Sequence, residues 1–186
     1  MLLLIDEIIR GCKQGHSSCQ KALVNRYSGL LFSICLRYVG DETKSQDVLQ
    51  DAFIRIFKYI KNFDSDKGSL QAWMRKIAVN TALKSIKSKI PQTSSLSIDI
   101  NNNISIEPKI LDKMAADDLL AVIKSLPDGY RQVFNLFVIE GYSHKEIGKK
   151  LNIQEVSSRS NLSRAKQLLR TKLLSYKNSE SWAKIV

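Results

Sequence analysis

The chain has 186 residues, 44% of them hydrophobic, which is enough for one domain or two small ones with a real core; eight glycines and three prolines argue against a disordered chain. Its formal charge of +11 is unevenly spread: residues 1–90 hold 15 Lys/Arg against 8 Asp/Glu, residues 91–125 hold 3 against 5, and residues 126–186 hold 11 against 5. Two basic lobes flanking a slightly acidic connection suit a polyanionic partner, nucleic acid first.

The apolar start MLLLIDEII lacks a basic leader, and Asp6 and Glu7 interrupt it. No cleavage site follows, and no run is long enough to span a bilayer. The predicted location is the cytoplasm, with reduced cysteines and no membrane insertion. From Asp6 to Tyr38, Ile8, Ile9, Ala22, Leu23, Tyr27, Leu31, Ile34, Cys35 and Tyr38 recur at helical spacing. That pattern predicts a short helix, a turn at Gly15, and a longer helix ending near Gly40. Cys12, His16 and Cys19 form C-x3-H-x2-C, but a structural zinc site needs four ligands. Cys35 sits in an apolar run beside Ile34 and Leu36, so buried free thiols are the reading adopted, with no metal or other cofactor.

Asp41-Glu42-Thr43 opens the next helix, in which Leu49, Phe53, Ile56 and Ile60 mark a buried face. The opposite side carries Asp47, Gln50, Asp51 and Ile54. A solvated face accounts for the acids; Ile54 in their middle also fits a protein contact. Residues 62–70, NFDSDKGSL, resemble a calcium loop only superficially. Gly68 stands one position early, and Arg75 falls where a bidentate Glu is required. Residues 69–90 form a third helix, with Leu70, Trp73, Ile77, Thr81 and Lys84 assigned to one side and Trp73 to the core. Arg75, Lys76, Asn80, Lys84 and Lys87 supply basic and amide groups that suit unpaired nucleic acid, although lysines at a helix end also favour the macrodipole.

Residues 91–110, rich in Ser and Asn, break every period and read as a flexible linker; the sequon at Asn103 has no meaning without secretion. Helical pattern resumes near Leu111. A turn at Leu126-Pro127-Asp128 follows, then Val133, Leu136, Phe137 and Ile139. Ser143 with Glu146 is a capping box opening a helix whose inward residues are Ile147 and Leu151. Gly148 lies between them, where a larger residue would hold a crossing helix away. Asn152-Ile153-Gln154 is long enough only for a sharp turn, plugged by Ile153. A second helix repeats Leu162, Ala165 and Leu169 and turns Arg159, Ser160, Ser163, Arg164 and Gln167 outward. A helical hairpin with a solvated basic face would show the same stripe. Arg and Ser near the start of the second helix favour a helix-turn-helix, whose second helix enters the major groove. His16 and His144 are assigned to solvated surface. Beyond Tyr176 the pattern fades.

These segments resemble the extracytoplasmic-function group of sigma-70 family sigma factors. In the first lobe the resemblance rests on DVLQDAFIRIFKYIKNFD (47–64) and KGSLQAWMRKIAVNTALKSIK (67–87). In the second it rests on LPDGYRQVFNLFVIEGYSHKEIGKKLNI (126–153) and SSRSNLSRAKQLL (157–169). It implies an all-α protein of two helical domains: a sigma-2-like domain of three or four helices over 1–90, a flexible linker over 91–112, a sigma-4-like helix-turn-helix domain over 113–178, and a tail over 179–186. It also implies a promoter-specificity subunit that binds core RNA polymerase, recognises −10 and −35 elements and helps open DNA. By motif position, Asp47, Gln50, Asp51 and Ile54 would meet the clamp helices of the polymerase largest subunit. Phe63, Asp64, Ser69, Trp73, Arg75, Lys76 and Asn80 would meet the −10 strand. Arg159, Ser160, Ser163 and Arg164, with Lys166, would meet the −35 duplex. An anti-sigma factor is a further candidate partner, and the free protein is expected to be a monomer. Four positions depart from the family's habit: Gln154 replaces a small polar cap, Val156 and Ser158 stand where glycine and valine are common, and Lys84 replaces a frequent Asp. No catalytic residue, small-molecule substrate or enzymatic activity is expected. The alternative is a stand-alone helix-turn-helix transcriptional regulator.

Overall fold

The computed structural model describes residues 4–87 and 116–183. The linker expected over 91–112 and the restart of helical pattern at Leu111 lie outside the described residues, as does the extreme end of the tail. All regular structure among the described residues is helical, and the chain divides into two compact units, Met1–Lys89 and Ile90–Val186.

The first unit opens with α1 (Ile5–Gln14), whose start is fixed where the Glu7 carboxylate accepts the Leu4 N–H at 2.9 Å. Gly15 and Gly40, with φ of 83° and 81°, end α1 and α2 (Ser17–Val39) in the left-handed conformation that glycine adopts without steric cost. Asp41 caps α3 (Glu42–Tyr59) by accepting the Lys44 N–H at 2.8 Å. Short 3-10 turns at Ile60–Asn62 and Ser65–Lys67 lead into α4 (Leu70–Lys87). Helices α2, α3 and α4 pack against one another, and α1 lies on α2. The core holds Leu23, Leu31, Ile34, Tyr38, Ile56 and Met74, all fully buried. Each large aliphatic chain so buried stabilises the unit by roughly 1.5–3 kcal/mol before entropy is counted.

Helix α4 corrects the sequence reading of its faces. Leu70 and Thr81 are buried as expected, but Trp73 and Ile77 are only half-buried and Lys84 is exposed. The innermost residues are Met74, Ala78, Val79 and Ala82. The reason is that α4 touches both α2 and α3, so its buried face is broad and its closest approaches need alanine. A reading weighted toward bulk puts the stripe on the wrong edge.

The cysteines sit in packing positions. Gly11 leaves α1 without a side chain where Cys19 of α2 presses in; a Cβ there would collide with the thiol. Cys12 is buried, and burial, then the neighbouring Cys19, pushes its thiol up to about 11. Burial pushes Cys35 up to about 12. Among the described residues no three His, Cys, Asp or Glu side chains are grouped as a metal would need.

The second unit comprises α5 (Ala116–Lys124), α6 (Asp128–Phe134), a π-helical turn at Asn135–Ile139, α7 (His144–Leu151) and α8 (Glu155–Ala183). Helix α8 thus runs past Tyr176, where the sequence pattern fades. Val122, Ile123 and Leu126 pack against Ala165, Leu169 and Leu173 of α8, with Tyr130, Phe134 and Ile139 closing the sides. Arg131 lies inside this unit with only 4% of its surface exposed. Its guanidinium donates to the carbonyls of Lys124 and Leu126 at 3.1 and 2.7 Å and to the Asp128 carboxylate at 2.6 Å. One buried side chain therefore closes the α5–α6 corner on which α8 rests.

Candidate nucleic-acid interface

Helix α7 begins with the reciprocal cap its sequence predicts. Ser143 Oγ accepts the Glu146 N–H at 3.3 Å, and Glu146 Oε2 accepts the Ser143 N–H at 2.8 Å and its hydroxyl at 2.7 Å. Those bonds from Ser143 hold the Glu146 carboxyl below the usual carboxylate range. Asn152 ends α7 at φ 57°, a left-handed position that asparagine tolerates, and Ile153 N–H returns to the Gly148 carbonyl at 3.0 Å. The sequence reading gave Gly148 room for the crossing helix; the structure gives that room to the turn itself. A Cβ on Gly148 would lie 2.8 Å from the Ile153 carbonyl oxygen. Gly148→Ala should therefore destabilise this unit by about 1–2 kcal/mol even though alanine favours a helix by about 1 kcal/mol. A thermal melt reads the sign directly, and a raised midpoint would show that the turn yields freely.

His144 is not the solvated residue the sequence suggests. Its ring stacks on Phe137 with centroids 4.5 Å apart, and Nδ1 lies 2.9 Å from Ser158 Oγ, which is fully buried. Burial and then the adjacent Arg159 pull its pKa below the ordinary histidine value. The pair ties the first turn of α7 to the first turns of α8.

Ser158, Leu162, Ala165, Leu169 and Leu173 form the buried stripe of α8. Opposite them Val156, Ser160, Ser163 and Gln167 are exposed. Ser160 Oγ donates to the Val156 carbonyl at 3.0 Å. Arg159 pairs with Glu155 at 2.6 Å across an exposed turn. Arg164 and Lys166 are half-buried, and the Arg164 guanidinium donates to Tyr130 Oη of α6 at 3.3 Å. Arg159, Ser160, Ser163, Arg164 and Lys166 thus lie along one helix, the first three exposed and the last two half-buried.

In the first unit, Asp47, Gln50, Asp51 and Ile54 stand exposed along α3, opposite buried Val48, Ala52 and Ile56. Ile54 keeps 57% of its surface in solvent. The loop before α4 is more constrained. Phe63 is buried, and its ring meets Trp73 at 5.4 Å. Asp64 accepts the Asp66 N–H and pairs with Lys67 at 3.0 Å, which holds its carboxyl below the usual range. Ser69 accepts the Ala72 N–H at 3.2 Å. Trp73, Lys76 and Asn80 follow at helical spacing beside this loop, Lys76 and Asn80 exposed and Arg75 half-buried. Phe63 is therefore a support under Trp73 rather than an open ring.

Residues 23–89 match the family model described as Sigma-70 region 2, and residues 116–169 match that described as Sigma-70, region 4. The chain belongs to the sigma-70 family of RNA polymerase sigma factors. Its curated relatives place it in the extracytoplasmic-function group. It is 26% identical to ECF RNA polymerase sigma factor SigW of Bacillus subtilis (strain 168), a match covering 93% of this chain and 98% of SigW. It is 28% identical to ECF RNA polymerase sigma factor SigE of Mycolicibacterium smegmatis over 80% of this chain and 59% of that protein. Against the ECF RNA polymerase sigma-E factor of Escherichia coli (strain K12) the identity is 25%, over 91% and 95% of the two chains. These relatives are sigma factors, which are not enzymes. The two matched regions make this chain a promoter-recognition subunit. Among the described residues no helix is long and apolar enough to cross a membrane.

One contact in the first unit carries no sequence signal. Lys13, in α1 and outside the matched residues, donates its ammonium to the Phe63 carbonyl at 2.8 Å. It tethers the loop that leads to Trp73 from fifty residues away. No sequence signal marks it, since a lysine on an amphipathic helix reads as solvated surface.

Proposed function

We propose that this sigma factor docks on core RNA polymerase through Asp47, Gln50, Asp51 and Ile54, at the clamp helices of the largest subunit. In this reading the outward face of α8 enters the −35 major groove. Trp73, Arg75, Lys76 and Asn80 hold the unpaired −10 strand by stacking and phosphate contacts, while Phe63, Asp64 and Ser69 shape the loop beside it. The chain acts in the cytoplasm, as a monomer until it joins the polymerase, and performs no bond chemistry. Division of labour follows the two lobes, 1–90 for polymerase and −10 contacts and 113–178 for the −35 element, with 91–112 as the link and 179–186 as the tail.

The observation that carries the reading is Ile54. A branched aliphatic side chain held more than half in solvent among three polar residues, on a helix whose other face is fully packed, suits a surface that another protein covers. Asp51→Lys puts a cation into that surface without touching the core. Affinity for core polymerase should fall about tenfold or more, while helical content and melting temperature stay unchanged. The measurement is core binding by labelled protein in a competition assay. Normal affinity in that variant would return α3 to a solvated face and move the polymerase contact elsewhere on the chain, whereas unaltered protein that fails to bind core at all would favour the stand-alone regulator.

A further inference from the structure

We propose that Val156 is a specificity-determining residue of the −35 contact, reading the 5-methyl group of a thymine in the major groove. The inference rests on the placement of α8 just proposed.

Val156 is the second residue of α8 and keeps 73% of its surface exposed, more than Ile54 or any other large hydrophobic side chain among the described residues. Nothing in its own unit needs it there. The buried contact at that end of the helix is made two residues on by Ser158, through His144. A β-branched residue in the first turn also gains nothing from helix propensity.

Position supplies the rest. Val156, Ser160, Ser163 and Gln167 are spaced four, three and four residues apart, so they share the outward stripe of α8. The first turns of a recognition helix are the part that reaches base edges. Of the groups a base pair shows in the major groove, only the thymine methyl is apolar, and a valine has no hydrogen bond to offer the others. Neighbouring groups leave that role to Val156: the Ser160 hydroxyl proton is occupied by the Val156 carbonyl, and Arg159 flanks the stripe in its pair with Glu155. The polar members of the face can grip phosphate or base edges. Val156 can add discrimination only by contact with an apolar group.

The test uses holoenzyme reconstituted from core RNA polymerase and the full chain, with duplex DNA randomised over the −35 region. Wild-type holoenzyme should enrich thymine at one position, and Val156→Ala should lose that preference while keeping the others. Replacing that thymine by deoxyuridine, which removes only the methyl, should weaken wild-type binding about three- to fivefold and leave the alanine variant unaffected. Val156→Thr, which keeps one methyl, should retain part of the discrimination. Val156 is exposed, so none of these variants threatens the fold. An alanine variant with the wild-type thymine preference and the same thymine-to-uracil ratio overturns the assignment. Wild-type holoenzyme that enriches no −35 motif instead removes the placement of α8 in the groove, and this inference with it.

Discussion

Arg131→Met is expected to destabilise the second unit by roughly 3 kcal/mol, because methionine fills the space but leaves buried carbonyls without donors at about 1–3 kcal/mol each. The carbonyls are those of Lys124 and Leu126, which the guanidinium now satisfies. Asp128→Asn is the control. That carboxylate is largely in solvent, and asparagine keeps an oxygen to accept from the buried guanidinium, so this change should cost clearly less than Arg131→Met. Hydrogen exchange localises the effect: amides of α6 and α8 should exchange faster in Arg131→Met, while those of α2 and α4 stay protected. Equal protection in both proteins would mean that ordinary packing holds the α5–α6 corner. The functional consequence is indirect. Leu169 and Leu173 rest on Val122, Ile123 and Leu126, so a loosened corner lets α8 tilt.

How much of this was legible beforehand divides by range. Local signals read correctly: the Ser143–Glu146 cap, the stops at Gly15 and Gly40, and the stripe of Leu162, Ala165 and Leu169. Each depends on residues within two helical turns, where side-chain direction follows from spacing alone. The exposed row on α3 is legible for the same reason. What the sequence concealed is mostly contact between distant segments. Arg131 looks like any helix arginine until the α5–α6 turn folds back over it. His144 looks solvated until Phe137 and Ser158 close on either side. Lys13 and Phe63 lie in different elements, and the spacing shows that Gly148 needs room but not that its neighbour is the Ile153 carbonyl. Spacing alone misplaces the face of α4 because alanine, the weakest hydrophobic signal, marks the closest helix approaches. The π-helical turn at Asn135–Ile139 breaks the 3.6-residue period just before the helix-turn-helix, leaving Val138 half in solvent.

Arg159 and Arg164 should separate into a base reader and a phosphate anchor, and their surroundings decide which is which. Arg159 is well exposed and held only by Glu155, one helical turn away. An exposed pair of that kind contributes under about 1 kcal/mol, so the guanidinium can leave it for a guanine edge at little cost. Two parallel hydrogen bonds to guanine contribute roughly 1–3 kcal/mol. Arg164 is half-buried and tied to Tyr130 on α6, which fixes its position but spends a donor and restricts its reach. That geometry suits a grip on the DNA backbone beside the groove. Arg159→Ala should cost about 1–3 kcal/mol at one −35 position and relax the preference there. Arg164→Ala should weaken every −35 sequence alike and lower the salt slope of binding by about one unit. Tyr130→Phe, which removes only the hydroxyl that accepts from Arg164, should weaken binding in the same uniform way but less. Promoter activity across a −35 library, with salt titration of the purified holoenzymes, distinguishes the roles. A sequence-specific loss in Arg164→Ala together with a uniform loss in Arg159→Ala would reverse the assignment, and would mean that α8 meets the groove along its other edge.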